Sequence, residues 1–179
     1  GDTDTVFCDR LIIACGGLAG TKLGGSMSGY KLLGQMGHKS TRLRPTLVQL
    51  KSDWGGISAL KGVRANCQIA IKKDGATHCQ STGEIQFTDY GISGPVVFEV
   101  SRDACAGSGD WSAVIDFLPD YSNEELSKEL HRRKTTELTA DDLLTGILHN
   151  RLGRVLTRAA GIRDQRLVSE LNDLEITNV

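Results

Sequence analysis

The chain has 179 residues, a net charge of −1 and 5% aromatic residues. That length suits one sizeable core or two small ones. A near-neutral balance gives no electrostatic reason for a nucleic acid or an anionic membrane as partner, and so few aromatics argue against a base-stacking surface.

The first elements surround a glycine-rich stretch. Thr5–Cys8 and Leu11–Cys15 read as two short strands separated by Asp9-Arg10. Gly16-Gly17 stops the second, and glycines recur at Gly20, Gly24, Gly25 and Gly29. An amphipathic pattern follows through Tyr30, Leu32, Leu33 and Met36, which predicts a helix over 27–37 ended by Gly37 and the basic pair His38-Lys39. Strand, glycine loop and helix is the layout that sets a ligand at the carboxyl end of a strand. An ordinary crossover with glycines for packing gives the same pattern.

Arg44-Pro45 marks a boundary, because the residue before proline is pushed out of helical geometry. From Thr46 the period becomes two. Val63, Ala65, Cys67, Ile69 and Ile71 alternate with polar neighbours, as in the wall of an antiparallel sheet or barrel. Asp74-Gly75 supplies a hairpin turn, after which Thr77, Cys79, Ser81, Ile85 and Phe87 return. Gly91 to Pro95 interrupts the strands, and Pro95 opens a helix with Val96, Val97 and Val100 facing a core. Trp111 to Leu118 reads as the last strand.

Everything after Asp120 reads as helical. Ser122 and Glu125 form a capping box ahead of Leu126 and Leu130. Thr139 and Asp142 offer a weaker cap before Leu143, Leu144, Ile147 and Leu148. The pattern runs on through Leu152, Val155 and Leu156 to Gly161, with a break available at Gly146 and His149-Asn150. Leu167, Val168, Leu171 and Leu174 form a final amphipathic helix, and a helical bundle is expected. Both ends read as cut, since an extended pattern starts at once and the periodicity is unfinished at Val179. The expectation is a piece of a longer protein.

Several chemical signatures are missing. No G-x-G-x-x-G is present, Ser26 stands where a phosphate loop would carry lysine, and no nucleophile elbow is complete. The five cysteines and four histidines show no metal-ligand spacing, so no metal is expected. Cys15, Cys67 and Cys79 lie in strand-like runs and read as reduced and structural. Arg151, Arg154 and Arg158 share a helical face that suits either phosphate or solvent. Thr88-Asp89-Tyr90 groups a hydroxyl, a carboxylate and a phenol beside a glycine turn, as a substrate-positioning cluster or a polar loop would. No run reaches the roughly 20 apolar residues of a membrane helix. The amino terminus lacks signal-peptide design, so a cytoplasmic location is expected.

Two stretches carry a resemblance. Ala14-Cys15-Gly16-Gly17, its glycine/serine loop and Gly29-Tyr30-Lys31-Leu32-Leu33 with Met36-Gly37-His38 form the first. Gly83-Glu-Ile-Gln-Phe-Thr-Asp-Tyr-Gly-Ile-Ser-Gly-Pro95 is the second and more specific. Arg44-Pro45-Thr46-Leu47-Val48, Leu60-Lys61-Gly62-Val63 and Ile115 to Asp120 fall in matching order. The chain resembles bacterial FAD-dependent oxidoreductases of the aminoacetone-oxidase-like family, related to bile-acid 3-dehydro-reductases. Cys15 stands for the family's usual threonine and Asp89 for its common histidine.

The resemblance implies an α+β fold: a small antiparallel β-barrel followed by a helical bundle, with a strand–helix edge of a Rossmann-type FAD domain at the amino terminus. Residues 1–43 would be that edge, 44–119 the inserted barrel and 120–179 the helical subdomain. It implies that Ala14, Gly16, Gly17, Gly24 and Gly25 contact the flavin of the full-length parent, this piece alone holding none. The insert would cover the flavin, with Thr88, Asp89 and Tyr90 as catalytic candidates and Gly91, Ser93 and Gly94 lining substrate access. Implied partners are the rest of the parent flavoprotein and a small-molecule substrate, with NAD(P)H an open addition. This piece alone would be inactive as an oxidoreductase. The competing reading is a non-catalytic module that binds a protein or peptide.

Overall fold

Helix α1, Ser28–Gln35, forms where its apolar period predicts. Gly37 ends it at φ +87°, donating to the Gly34 carbonyl while His38 N–H donates to that of Leu33, both at 3.0 Å. That pair of bonds satisfies carbonyls the last helical turn leaves open. A computed structural model describes residues 4–134, 138–162 and 174–177. The chain forms two compact units, Gly1–Leu43 and Arg44–Val179.

In the first unit the two expected strands do not form: residues 4–17 carry no regular secondary structure. A strand's backbone groups need a neighbouring strand, and among its described residues the unit has none. Phe7 and Ile12 are 94% and 89% exposed. A 3-10 turn, Thr21–Leu23, occupies the glycine loop before α1.

The second unit is a curled, antiparallel half-barrel of six strands with helices. Its strands are β1 (Leu50–Lys51), β2 (Arg64–Lys73), β3 (Ala76–Phe87), β4 (Gly91–Ser93), β5 (Trp111–Asp116) and β6 (Leu174–Thr177). Their order is β1-β4-β3-β2-β5-β6. Alternation along β2 buries Cys67, Ile69 and Ile71, and along β5 it buries Trp111, Ala113 and Ile115. Asp74 and Gly75 turn β2 into β3 with φ of +50° and +81°, the positive pair that a type I′ hairpin demands.

Helix α2, Pro95–Ala104, begins at proline, where the missing N–H costs nothing. It sinks Val96, Val97, Val100 and Ala104 into the core. A Cβ on Gly83 would stand 3.3 Å from that of Val96, so glycine there lets the helix approach β3.

Helix α3, Asn123–Lys134, starts with the predicted box: Ser122 N–H donates to Glu125 Oε2 at 2.9 Å, and Glu125 N–H returns to Ser122 Oγ at 3.3 Å. Helix α4, Asn150–Ala159, stops at Gly161 with φ +70°. Three expectations for this region are corrected. Leu143 to Leu148 form turns rather than a helix, because Gly146 takes φ +82° and only the 3-10 turn Ala140–Asp142 precedes them. Leu126, Leu130, Leu152 and Leu156 join the sheet's own core, so no separate bundle core forms among the described residues. The chain is not helical to its end, since β6 pairs with β5 from Leu174↔Ile115 to Thr177↔Ser112. The earlier part of the final expected helix, at Leu167, Val168 and Leu171, lies outside the described residues.

Candidate functional site

The Gly83–Pro95 stretch becomes the end of β3, a tight turn, β4 and the start of α2. Thr88 closes the turn on itself, its N–H and its hydroxyl both donating to the Gly91 carbonyl, at 2.9 and 3.0 Å. Gly91, Ser93 and Gly94 are buried. Their neighbours account for the glycines: a Cβ on Gly91 would lie 2.0 Å from the Leu50 carbonyl oxygen, and one on Gly94 2.6 Å from that of Glu84. Gly94 also takes φ +104°.

Asp89 and Tyr90 project from this turn into solvent. Asp89 Oδ2 accepts from Lys61 Nζ at 3.1 Å. Tyr90 is 48% exposed and its hydroxyl bonds Gln49 Oε1. Lys61 is fixed from the other side, for Arg151, in the first turn of α4, donates through Nη2 to the Lys61 carbonyl oxygen. Its neighbour Gly62 donates to the Phe87 carbonyl at 2.9 Å. The barrel rim therefore gathers Gln49, Lys61, Asp89, Tyr90 and Arg151 from four separate stretches of sequence.

The Asp89 carboxyl is held below the ordinary carboxylate value, chiefly by the Lys61 hydrogen bond, then by its own backbone N–H and the lysine's charge. At neutral pH it is an acceptor with no proton to donate. Its folded pKa lies below its unfolded one, so the pair's contribution is present above the ordinary range and lost as pH falls through the folded value. An NMR titration of the Asp89 carboxyl is expected to show a midpoint below 3.8, rising toward that value in Lys61→Met. An unchanged midpoint in that variant would remove Lys61 as the cause.

The first unit holds the residues expected to contact a cofactor. Ala14 is exposed, and Gly16 and Gly24, at φ +71° and +99°, have open space where a side chain would project. A bare backbone of this kind fits close approach by a flat cofactor. The other two glycines are used for packing: a Cβ on Gly25 would be 2.2 Å from the Ala19 carbonyl oxygen, and one on Gly17 3.1 Å from the Tyr30 hydroxyl. Leu23, Gly24, Gly25 and Ser26 all donate their N–H groups to carbonyls within the loop. These four N–H groups are therefore not free to cradle a pyrophosphate, while the backbone at Gly16 and Gly24 leaves room for a flat group. Nearby, Tyr30, Leu33, His38, Lys39 and Leu43 line a cleft of about 490 Å³.

Other candidates resolve plainly. Arg154 and Arg158 pair with Asp142 and Asp141, which separates them from Arg151. His149 caps α4, its Nδ1 accepting from Arg151 N–H at 3.2 Å. Cys67 is buried, which pushes its thiol up to about 12 and makes it inert, with Asp116 adding to the effect. Cys15 is exposed rather than in a strand. Among the described residues no cluster of His, Cys, Asp and Glu could hold a metal, and no helix is long and apolar enough to cross a membrane. Sequence reasoning missed Lys61, Gln49 and the distinct place of Arg151. The only available signals were Lys61's position in the Leu60–Val63 match and Arg151's place in the arginine triplet.

Residues 44–179 match the family described as the HI0933-like protein barrel and H2TH domain. Over 168 residues the chain is 36% identical to a 3-dehydro-bile acid delta(4,6)-reductase of Clostridium scindens, covering 91% of this chain and 41% of that protein. It is 30% identical over 185 residues to a ribosomal RNA dihydrouridine synthase of Escherichia coli, covering 96% and 44%. A synthase of the same name from Haemophilus influenzae is 27% identical over 177 residues, covering 96% and 41%. The chain thus spans less than half the length of these curated relatives.

Proposed function

The chain belongs to the HI0933-like barrel and H2TH domain family, and on that premise we propose that it is part of a cytoplasmic FAD-dependent oxidoreductase that reduces a carbon–carbon double bond conjugated with a carbonyl. The observation that carries this reading is the 36% identity to a reductase of a 3-dehydro-bile acid. The names of the relatives agree on the chemistry. A delta(4,6)-reductase removes ring double bonds in a 3-oxo acid, and making dihydrouridine saturates a ring bond beside a carbonyl.

Reduced FAD, when bound to the full-length protein, would supply the hydride, be oxidised in doing so, and be reduced again by an external two-electron donor of the nicotinamide class, with the second hydrogen arriving as a proton. This chain's own residues have two tasks. Ala14, Gly16 and Gly24 would present bare backbone to the cofactor. Around the rim, the Tyr90 hydroxyl, which now donates to Gln49 Oε1, can turn to donate to the substrate carbonyl, whereas the Asp89 carboxylate can only accept, and Thr88 holds the turn that carries both. A small-molecule acid fits the near-neutral chain better than RNA, and the 179 residues alone are inactive.

The test is the anaerobic reduction of a 3-oxo-4,6-diene steroid acid by the full-length gene product whose flavin has first been reduced with dithionite. Tyr90→Phe is expected to slow the reaction about 100-fold while flavin content is unchanged. An unchanged rate would remove Tyr90 from the chemistry. Reduction of uridine in RNA, with the steroid untouched, would overturn the substrate class.

A further inference from the structure

The rim holds a cationic pair that the redox chemistry does not use. Lys61 and Arg151 lie 90 residues apart in sequence, yet Arg151 Nη2 donates to the carbonyl of Lys61 itself. Arg151 is thus tied to the backbone of the residue whose own ammonium reaches Asp89 in the Thr88–Tyr90 turn. Both cations are accessible, the Lys61 side chain being 65% exposed.

Arg151 also differs from the arginines around it. Arg64 pairs with Glu84, Arg132 and Arg133 with Glu129, Arg154 with Asp142 and Arg158 with Asp141. Among the described residues Arg151 has no carboxylate partner, and its Nε and Nη1 have no protein acceptor. A guanidinium held through one Nη2 hydrogen, with its remaining N–H groups open, is prearranged to donate to an oxyanion. Lys61 does have a carboxylate, Asp89, but that pair is solvent-exposed on both sides. Such pairs are worth little and exchange readily. Asp89 then acts as a stand-in that occupies the lysine until another anion displaces it.

We propose that Lys61 and Arg151 form a clamp for an oxyanion, the carboxylate or phosphate at the non-reacting end of the substrate. This rests on the reductase reading for what the anion belongs to, not for its binding. The clamp fixes the substrate by a charged group remote from the double bond. Binding energy at such a distance orients the reacting atoms.

NMR amide titration of the 179-residue chain tests this without flavin or turnover, so it can fail independently of the reductase reading. The ligands are cholate, uridine 5′-monophosphate and uncharged uridine. Signals of Lys61, Asp89, Tyr90 and Arg151 are expected to move with cholate or with the monophosphate and not with uridine. Whichever anion binds identifies the source. Lys61→Met and Arg151→Met should each weaken that binding about fivefold, and Asp89→Asn should strengthen it by about the same factor. The gain in Asp89→Asn cannot come from misfolding. Equal response to all three ligands, no response to either anion, binding indifferent to Lys61 and Arg151, or weaker binding in Asp89→Asn would overturn the clamp.

Discussion

Replacing Gly91 with alanine is expected to destabilise the protein by about 3 kcal/mol. The new methyl carbon would sit 2.0 Å from the Leu50 carbonyl oxygen and 2.8 Å from the Lys51 Cα. These are backbone atoms of β1, so no side-chain rotation relieves the clash. The strand must move, which costs its pairing at Lys51↔Gly91 and Leu50↔Ile92 and uncovers Leu50, now 2% exposed. Urea unfolding should show a lower midpoint at unchanged slope. A loss below about 1 kcal/mol would mean that β1 yields easily. The glycine would then have to be explained by something approaching it from outside.

Phe87→Ala is expected to cost more, about 4 kcal/mol. The ring is 1% exposed and lies 6.1 Å from that of Phe117, centroid to centroid. Its backbone is tied on both sides, the N–H donating to Val63 O and the carbonyl accepting from Gly62 N–H, each at 2.9 Å. The surrounding strands therefore cannot collapse into the space a truncation leaves. Phe87→Leu, which keeps most of the volume, should recover the greater part of the loss. Equal losses in the two variants would point to the aromatic contact with Phe117, not the cavity, as the source. Because Phe87 immediately precedes Thr88, truncation should also broaden the amide signals of the candidate turn.

What the sequence made legible was local. Alternation in β2, the Asp74-Gly75 turn, the Ser122–Glu125 box and the stops at Gly37 and Gly161 each depend on residues within a few positions of one another. Their physics is complete in a short window, and each is realised in the fold. Failures came where a distant partner decides. Leu11–Cys15 has strand composition, but a strand exists only beside another strand. The leucines of α3 and α4 announced a buried stripe without saying whether a helix or a sheet would cover it. Leu174 fitted a helical spacing, yet Leu174–Thr177 pairs with β5, an element far earlier in the chain.

The same distinction holds at the site. Thr88, Asp89 and Tyr90 could be singled out because their chemistry is contiguous. Lys61, Gln49 and Arg151 could not, since only folding brings them to that turn. Arg151, Arg154 and Arg158 show the limit from the other side. One helical face carries all three, but Asp141 and Asp142 occupy two and leave Arg151 open. Gly91 and Gly94, read by resemblance as lining substrate access, have a sufficient cause in backbone contacts that no sequence pattern displays.

Service of these residues in a flavin-dependent reductase is tested most directly by the visible spectrum of the purified full-length gene product. The expected result is the absorbance of oxidised flavin, bleached by reductant without air and restored by a conjugated enone, with FAD released on denaturation. A colourless full-length protein that cannot be reconstituted with FAD would contradict it.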